Sequence, residues 1–149
     1  MREVDVAPRS VAAVRVEVPV GRVPEYFGKA LDQVYAVGRT GALVLDGQNI
    51  FIYHPKSPGL LTVDFAVGTA APFEPIGAVQ WRQTPAGRVV TTTHVGDYGG
   101  LRAAHAAVQQ WCRDRNCTLA GPSWEVYGHW DPDPAKLRTE IYCLLRASA

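Results

Sequence analysis

The stretch LRTEIYCLL, residues 137–145, sets one carboxylate, Glu140, between Thr139 and Ile141 in an otherwise apolar run. Side chains alternate along a strand, so Arg138, Glu140 and Tyr142 share one face. Leu137, Thr139, Ile141 and Cys143 take the other. A carboxylate so placed faces either water or a cavity. In a cavity it attracts cations, and partial burial raises a carboxyl's pKa toward the range where it can take a proton from water. The same residue can thus serve cation binding or hydrolysis. Tyr142 is its neighbour on that face.

Flat walls are available to go with it. The tryptophans are Trp81, Trp111, Trp124 and Trp130. Trp111 falls on the apolar stripe of a helix, where it serves the core or a ligand. Trp124 and Trp130 share a strand face with Val126, and Glu125, Tyr127 and His129 share the opposite one; alternation alone leaves open which face lines a cavity. Tyr98 sits in the VGDYGG turn, and Phe51 and Tyr53 are the matching aromatics of the first half. One carboxylate among aromatics suits a planar, cationic or electrophilic ligand, held by stacking and cation–π attraction.

Other chemistries find little support. His54, His94, His105 and His129 show no i,i+4 pair and no H-E-x-x-H, so neither a metal nor a cofactor is expected. His105 lies on the inward stripe of its helix, as a core histidine or one facing a cavity. There is no G-x-S-x-G, and Cys112, Cys117 and Cys143 have no catalytic context. GDYGG lacks the lysine and serine of a P-loop and reads as a tight strand-to-helix hinge. Asp64 could act with Glu140 as an acid–base pair, or be a surface strand carboxylate.

The elements that must position these groups follow from periodicity. Strands are expected at 10–18, 48–54, 60–67, 80–83, 88–95, 123–130 and 137–145, and helices at 24–37 and 101–115. The order strand, helix, strand, strand occurs twice, with a period of about 75 residues, and LTVDFAV aligns with LRTEIYC to set Asp64 against Glu140. The fold class is therefore α+β: two pseudo-symmetric repeats, about 8–70 and 86–146, form an antiparallel sheet carrying two helices within one domain of 149 residues. The crease between the repeats is the natural place for a central ligand cavity.

The net charge of +1 argues against nucleic-acid binding driven by counterion release. Three cysteines without C-x-x-C argue against a disulfide framework or a zinc site. The N-terminus does not read as a signal peptide, and no run approaches the roughly 18 apolar residues that span a bilayer. A reduced cytoplasm and no membrane partner are expected; the oligomeric state is not legible.

The landmarks HVGDYGGL, a helix ending in a tryptophan, AGPSWEVYG and LRTEIYCLL occur in that order over about 91–145. Together they resemble the GyrI-like small-molecule-binding family, whose module is also the effector-binding domain of many AraC-type and MerR-type multidrug regulators. Over 10–70 the resemblance rests on the strand-helix-strand-strand pattern. The chain departs from the family with Gly96-Asp97-Tyr98 in place of Gly-Pro-Tyr, and with Leu144-Leu145 in place of Pro-Val. The resemblance implies a central cavity lined with aromatics and a glutamate on the last strand, here Glu140, as the focus of ligand binding. Tyr142, Trp111, Trp124, Tyr98, Tyr127, Tyr53, His105 and Trp81 are the further ligand candidates. Members of the family bind diverse, often cationic, aromatic compounds; some resemble sequestering or gyrase-inhibiting factors, and others are hydrolases that open cyclopropane rings of DNA-alkylating natural products. With no room for a helix-turn-helix before Ser10, the chain looks like the stand-alone type. The expected function is capture of aromatic, hydrophobic or cationic compounds. The alternatives are cofactor-free hydrolysis by Glu140 and a gyrase-inhibitor-like interaction.

Overall fold

The computed structural model describes residues 1–147. Among them the elements run β1 (Arg2–Val6), β2 (Ser10–Pro19), α1 (Phe27–Arg39), β3 (Leu45–Ser57), β4 (Leu60–Thr69), β5 (Gln80–Gln83), β6 (Gly87–Val95), α2 (Leu101–Asp114), β7 (Leu119–Tyr127) and β8 (Arg138–Leu145). The class is α+β with antiparallel pairing, as the repeated pattern requires. The chain forms two compact units, Pro8–Thr84 and Met1–Ala7 with Pro85–Ala149.

In the first unit the strands lie in the order β3-β4-β2-β5. The alternating SVAAVRVEV of β2 supplies buried Val11, Ala12, Ala13, Val14 and Val18. α1 turns Ala30, Leu31 and Val34 inward, and burial of each branched side chain stabilises by about 1.5–3 kcal/mol. Phe51 of β3 meets Phe65 edge-on at 4.9 Å and Phe27 at 6.0 Å. It is therefore a core residue beneath α1. The helix runs one residue past Gly38, and the Thr40 hydroxyl closes it by donating to the Val37 carbonyl.

In the second unit the order is β1-β6-β8-β7. α2 buries Leu101, Val108 and Cys112 against Val90, Ile141, Cys143 and Leu145. Its strands begin one element earlier than the sequence pattern suggests: Arg2–Val6 pairs with β6, Val4 opposite Val89. Five residues with charges at Arg2, Glu3 and Asp5 lack the apolar run that marks a strand, which is why the start of the sheet was expected at Ser10. The two units correspond strand for strand, β5 matching β1. Each fourth strand lies in the chain just ahead of the other unit's first strand.

Further boundaries differ: α1 begins at Phe27 and not at 24, β3 extends over Leu45–Ser57 where 48–54 was expected, and β7 begins at Leu119 and not at 123. β7 ends at Tyr127 instead of running to Trp130. Gly128 turns the chain, its N–H donating to the Arg138 carbonyl at 2.9 Å, where a Cβ would stand only 3.0 Å from that oxygen. Trp130 thus leaves the strand and is 72% exposed.

Candidate functional site

The second unit carries two Glu-x-Tyr pairs on adjacent strands, and each tyrosine hydroxyl donates to its glutamate at 2.6 Å. They are Glu125 with Tyr127 on β7 and Glu140 with Tyr142 on β8. In the β7–β8 register Glu125 lies opposite Ile141 and Val126 opposite Glu140. The one-residue offset sends the two pairs to opposite faces.

The Glu125 pair faces α2. The carboxylate is 4% exposed, and His105 of α2 places Nε2 2.8 Å from its Oε2 while Tyr127 bonds Oε1. Tyr98, from the turn that starts the helix, meets the Tyr127 ring edge-on at 5.5 Å. Cys143, on the same face of β8, has its thiol pushed up to about 12, by burial and by the charge of Glu125. A buried carboxylate is costly unless compensated, and here a histidine and a phenol supply the compensation.

Local sequence builds this corner. Gly96, with φ of +129°, lets the chain leave β6, and its N–H donates to the Leu137 carbonyl at 3.0 Å. Gly100 lies under the His94 ring, where a Cβ would come within 2.6 Å of Cε1. His94 Nε2 is in turn 2.7 Å from the Asp97 carbonyl oxygen. The hinge so fixed sets Tyr98 beside β7 and His105 one turn into α2.

The Glu140 pair lies on the face turned away from α2, and Glu140 is exposed. Thr93 stands opposite Glu140 and Thr91 opposite Tyr142. Trp124, 3% exposed, stacks on Tyr142 with centroids 5.3 Å apart and rings 11° from parallel. A pocket of about 210 Å³ is lined by Met1, Arg2, Thr91, Thr92, Thr93, Glu140 and Tyr142. Burial, with the hydrogen bond to Glu140, pushes the Tyr142 phenol up to about 12.

The expected ligand residues therefore divide. Tyr98, His105 and Tyr127 gather around Glu125; Tyr142 and Trp124 gather with Glu140. Trp111 is at the edge of the α2 core with the Arg115 guanidinium 4.0 Å above its ring. Trp81 donates Nε1–H to Ser10 Oγ at 3.2 Å, and Tyr53 shares the Phe51 face of β3. Asp64 is neither a surface carboxylate nor a free acid. It is 1% exposed, is held in two bonds by Arg15 at 2.8 and 2.9 Å, and has His54 at 3.2 Å and Arg82 at 3.3 Å. Burial alone would raise its pKa, but the bonds from His54 and Arg15, with the charges of Arg15 and Arg82, hold it below the usual carboxylate range. Glu125 was not singled out from sequence. The signal that could have found it is its own Glu-x-Tyr spacing, which repeats that of Glu140.

The GyrI-like small molecule binding domain matches residues 1–146. The C-terminal domain of EcmrR shares the fold, with a TM-score of 0.78 and 21% identity over 99% of this chain and 97% of that one. SAV2435, solved bound to tetraphenylphosphonium, aligns with a TM-score of 0.70 and 14% identity over 97% of this chain and 93% of its own. A hydrolase from Listeria innocua aligns at 0.63 with 15% identity, over 97% and 91%. No curated protein matches the chain significantly in sequence. At these identities the likeness concerns the fold, and it is the match along nearly the whole sequence that decides membership: the chain belongs to the GyrI-like small-molecule-binding domain family.

Proposed function

We propose that this domain captures hydrophobic or aromatic organic cations in the cytoplasm, with Glu125 as the countercharge and Tyr98 and Tyr127 as the aromatic wall. The observation that carries the reading is the buried Glu125 carboxylate bonded by His105 and Tyr127 beside a second tyrosine ring. In a low-dielectric setting an incoming cation gains far more from such a carboxylate than from one in water, and the rings add cation–π attraction. SAV2435, which shares the fold, was solved with a hydrophobic cation of this kind. The resemblance pointed to Glu140. Glu125 replaces it here because it is buried on the helix side among aromatics, while Glu140 is exposed.

The test is titration with tetraphenylphosphonium, followed by tryptophan fluorescence and calorimetry. Glu125→Gln should weaken binding at least tenfold, while triphenylphosphine oxide, which is uncharged, should bind both proteins alike. Equal tetraphenylphosphonium affinity in the variant would overturn the assignment.

Hydrolysis is a second reading, favoured by one feature: a histidine held by a buried carboxylate is the arrangement a general base needs. Incubation with a cyclopropane-bearing alkylator, read by mass spectrometry, separates the two. Ring-opened product formed in many turnovers and lost in His105→Ala and Glu125→Gln supports the enzyme. A stoichiometric complex without product supports capture.

A further inference from the structure

All three cysteines of the chain meet in one core. Cys112 of α2 and Cys143 of β8 are buried there, and the half-buried Cys117 packs against them. Neither functional reading above uses a thiol. The end of α2 decides which two come together. Asn116 turns left-handed, with φ of 57°. Its N–H donates to the Arg113 carbonyl at 3.3 Å, and the Cys117 N–H donates to the Cys112 carbonyl at 3.1 Å. These are the two bonds of a Schellman helix end, in which the side chains at either end of the longer bond touch. Here both are cysteines. The Cys117 thiol donates to the Cys112 carbonyl, with Sγ 3.6 Å from the oxygen, and is hydrogen-bonded with the Cys112 thiol.

We propose that Cys112 and Cys117 are a redox modification site, a dithiol that a low-molecular-weight disulfide converts to an internal disulfide across the end of α2. Cys117, the more exposed of the two, reacts first. Its thiolate bonds to one sulfur of the co-reactant, whose S–S bond breaks and releases one thiol. Cys112 then attacks the Cys117 sulfur and releases the second thiol. The two protein thiols are oxidised, the co-reactant is reduced, and the two protons leave on the released thiols. Burial, the hydrogen bond with Cys117 and the charges of Cys117 and Cys143 push the Cys112 thiol up to about 12. Little Cys112 thiolate is therefore present at neutral pH, and the second step is the slow one. Cys143 takes no part in the first step, since it is 5% exposed. A reversible bond suits a reducing compartment, where standing disulfides are rare.

The experiment incubates the full chain with glutathione disulfide, blocks remaining thiols with N-ethylmaleimide at acid pH, and maps tryptic peptides by mass spectrometry. Cleavage after Arg102, Arg113, Arg115, Lys136, Arg138 and Arg146 puts the cysteines in separate peptides, 103–113, 116–136 and 139–146. A glutathione adduct on Cys117 is expected first. Peptides 103–113 and 116–136 should then appear joined, with Cys143 blocked by the reagent, and dithiothreitol should separate them. Conversion of the adduct should be faster at pH 9 than at pH 7. Cys143→Ser should leave the product unchanged, and Cys117→Ser should form neither the adduct nor the bond. The map of the wild-type chain decides even where a variant fails to fold. A joined pair that includes peptide 139–146, or a Cys117 adduct that never gives way to the internal bond, overturns the proposal.

Discussion

Glu125 and Glu140 stand on neighbouring strands one position out of step, with Val126 opposite Glu140 and Glu125 opposite Ile141. Each is bonded by the tyrosine two residues later on its own strand. The same three-residue pattern thus yields a buried acid beside a helix and an exposed acid in a pocket. Period-two alternation decides which is which.

Removal of His105 should expose the cost of the buried acid. His105→Ala withdraws a bond from a carboxylate that is 4% exposed. Loss of one partner of a buried charged group costs about 1–3 kcal/mol. Urea denaturation at pH 7 should show a lower midpoint with an unchanged slope, and Glu125→Gln combined with His105→Ala should recover part of the loss.

Asp64 should give the protein an acid-sensitive contribution to stability. Its folded pKa is depressed, so the contribution is full above the unfolded value of about 3.9 and is lost as pH falls through the folded value. Below about pH 4 the wild type should lose stability steeply, while Asp64→Asn should lack that component. At pH 7 the substitution should cost about 3 kcal/mol, toward the low end for a broken buried pair because Arg15 reaches solvent. Denaturation midpoints between pH 2 and 7 for both proteins provide the check.

Tyr142 should resist ionisation. With its phenol near 12, absorbance at alkaline pH should reveal a late-titrating step to which Tyr142 contributes, alongside Tyr35, which burial also raises. Glu140→Gln should bring that step down without restoring the ordinary value of about 10. The reason is that burial, the larger cause, persists. A titration unchanged by the substitution would contradict the bond.

Gly100→Ala should strain the hinge. The new methyl meets the His94 ring at 2.6 Å, and either the ring or the first turn of α2 must yield. Overpacking of this kind costs about 1–3 kcal/mol. His94→Ala in the same chain should relieve it, giving a positive coupling in a thermal double-mutant cycle. Additive losses would show that the ring is not what the glycine accommodates.

Much of the fold was legible because alternation and the helical stripes are strong in this chain. SVAAVRVEV, LLTVDFAV and LRTEIYCLL each present an apolar face of period two, and Ala30, Leu31 and Val34 or Leu101, Val108 and Cys112 recur at helical spacing. β1 was not legible, since its charged residues pair by register with β6 and do not bury a face of their own. The division of the site was only half legible. Alternation placed Glu125 with Tyr127 and Trp124 with Val126, but which set met the helix depended on the strand next door. Tertiary pairing alone supplied that. Asp64 was read as a surface residue because its cations come from β2, β3 and β5, 10 to 49 positions away.

The strand exchange between the units imposes an order on synthesis. Every strand of the Pro8–Thr84 unit has been made once Gln83 emerges. β1 is made before that unit, yet its partner β6 follows only about 80 residues later, a delay of roughly 4–16 s at ordinary translation rates. The nascent chain therefore carries β1 unmatched while the Pro8–Thr84 unit is made. The charges at Arg2, Glu3 and Asp5 are of the kind that oppose pairing of such a strand with a stranger.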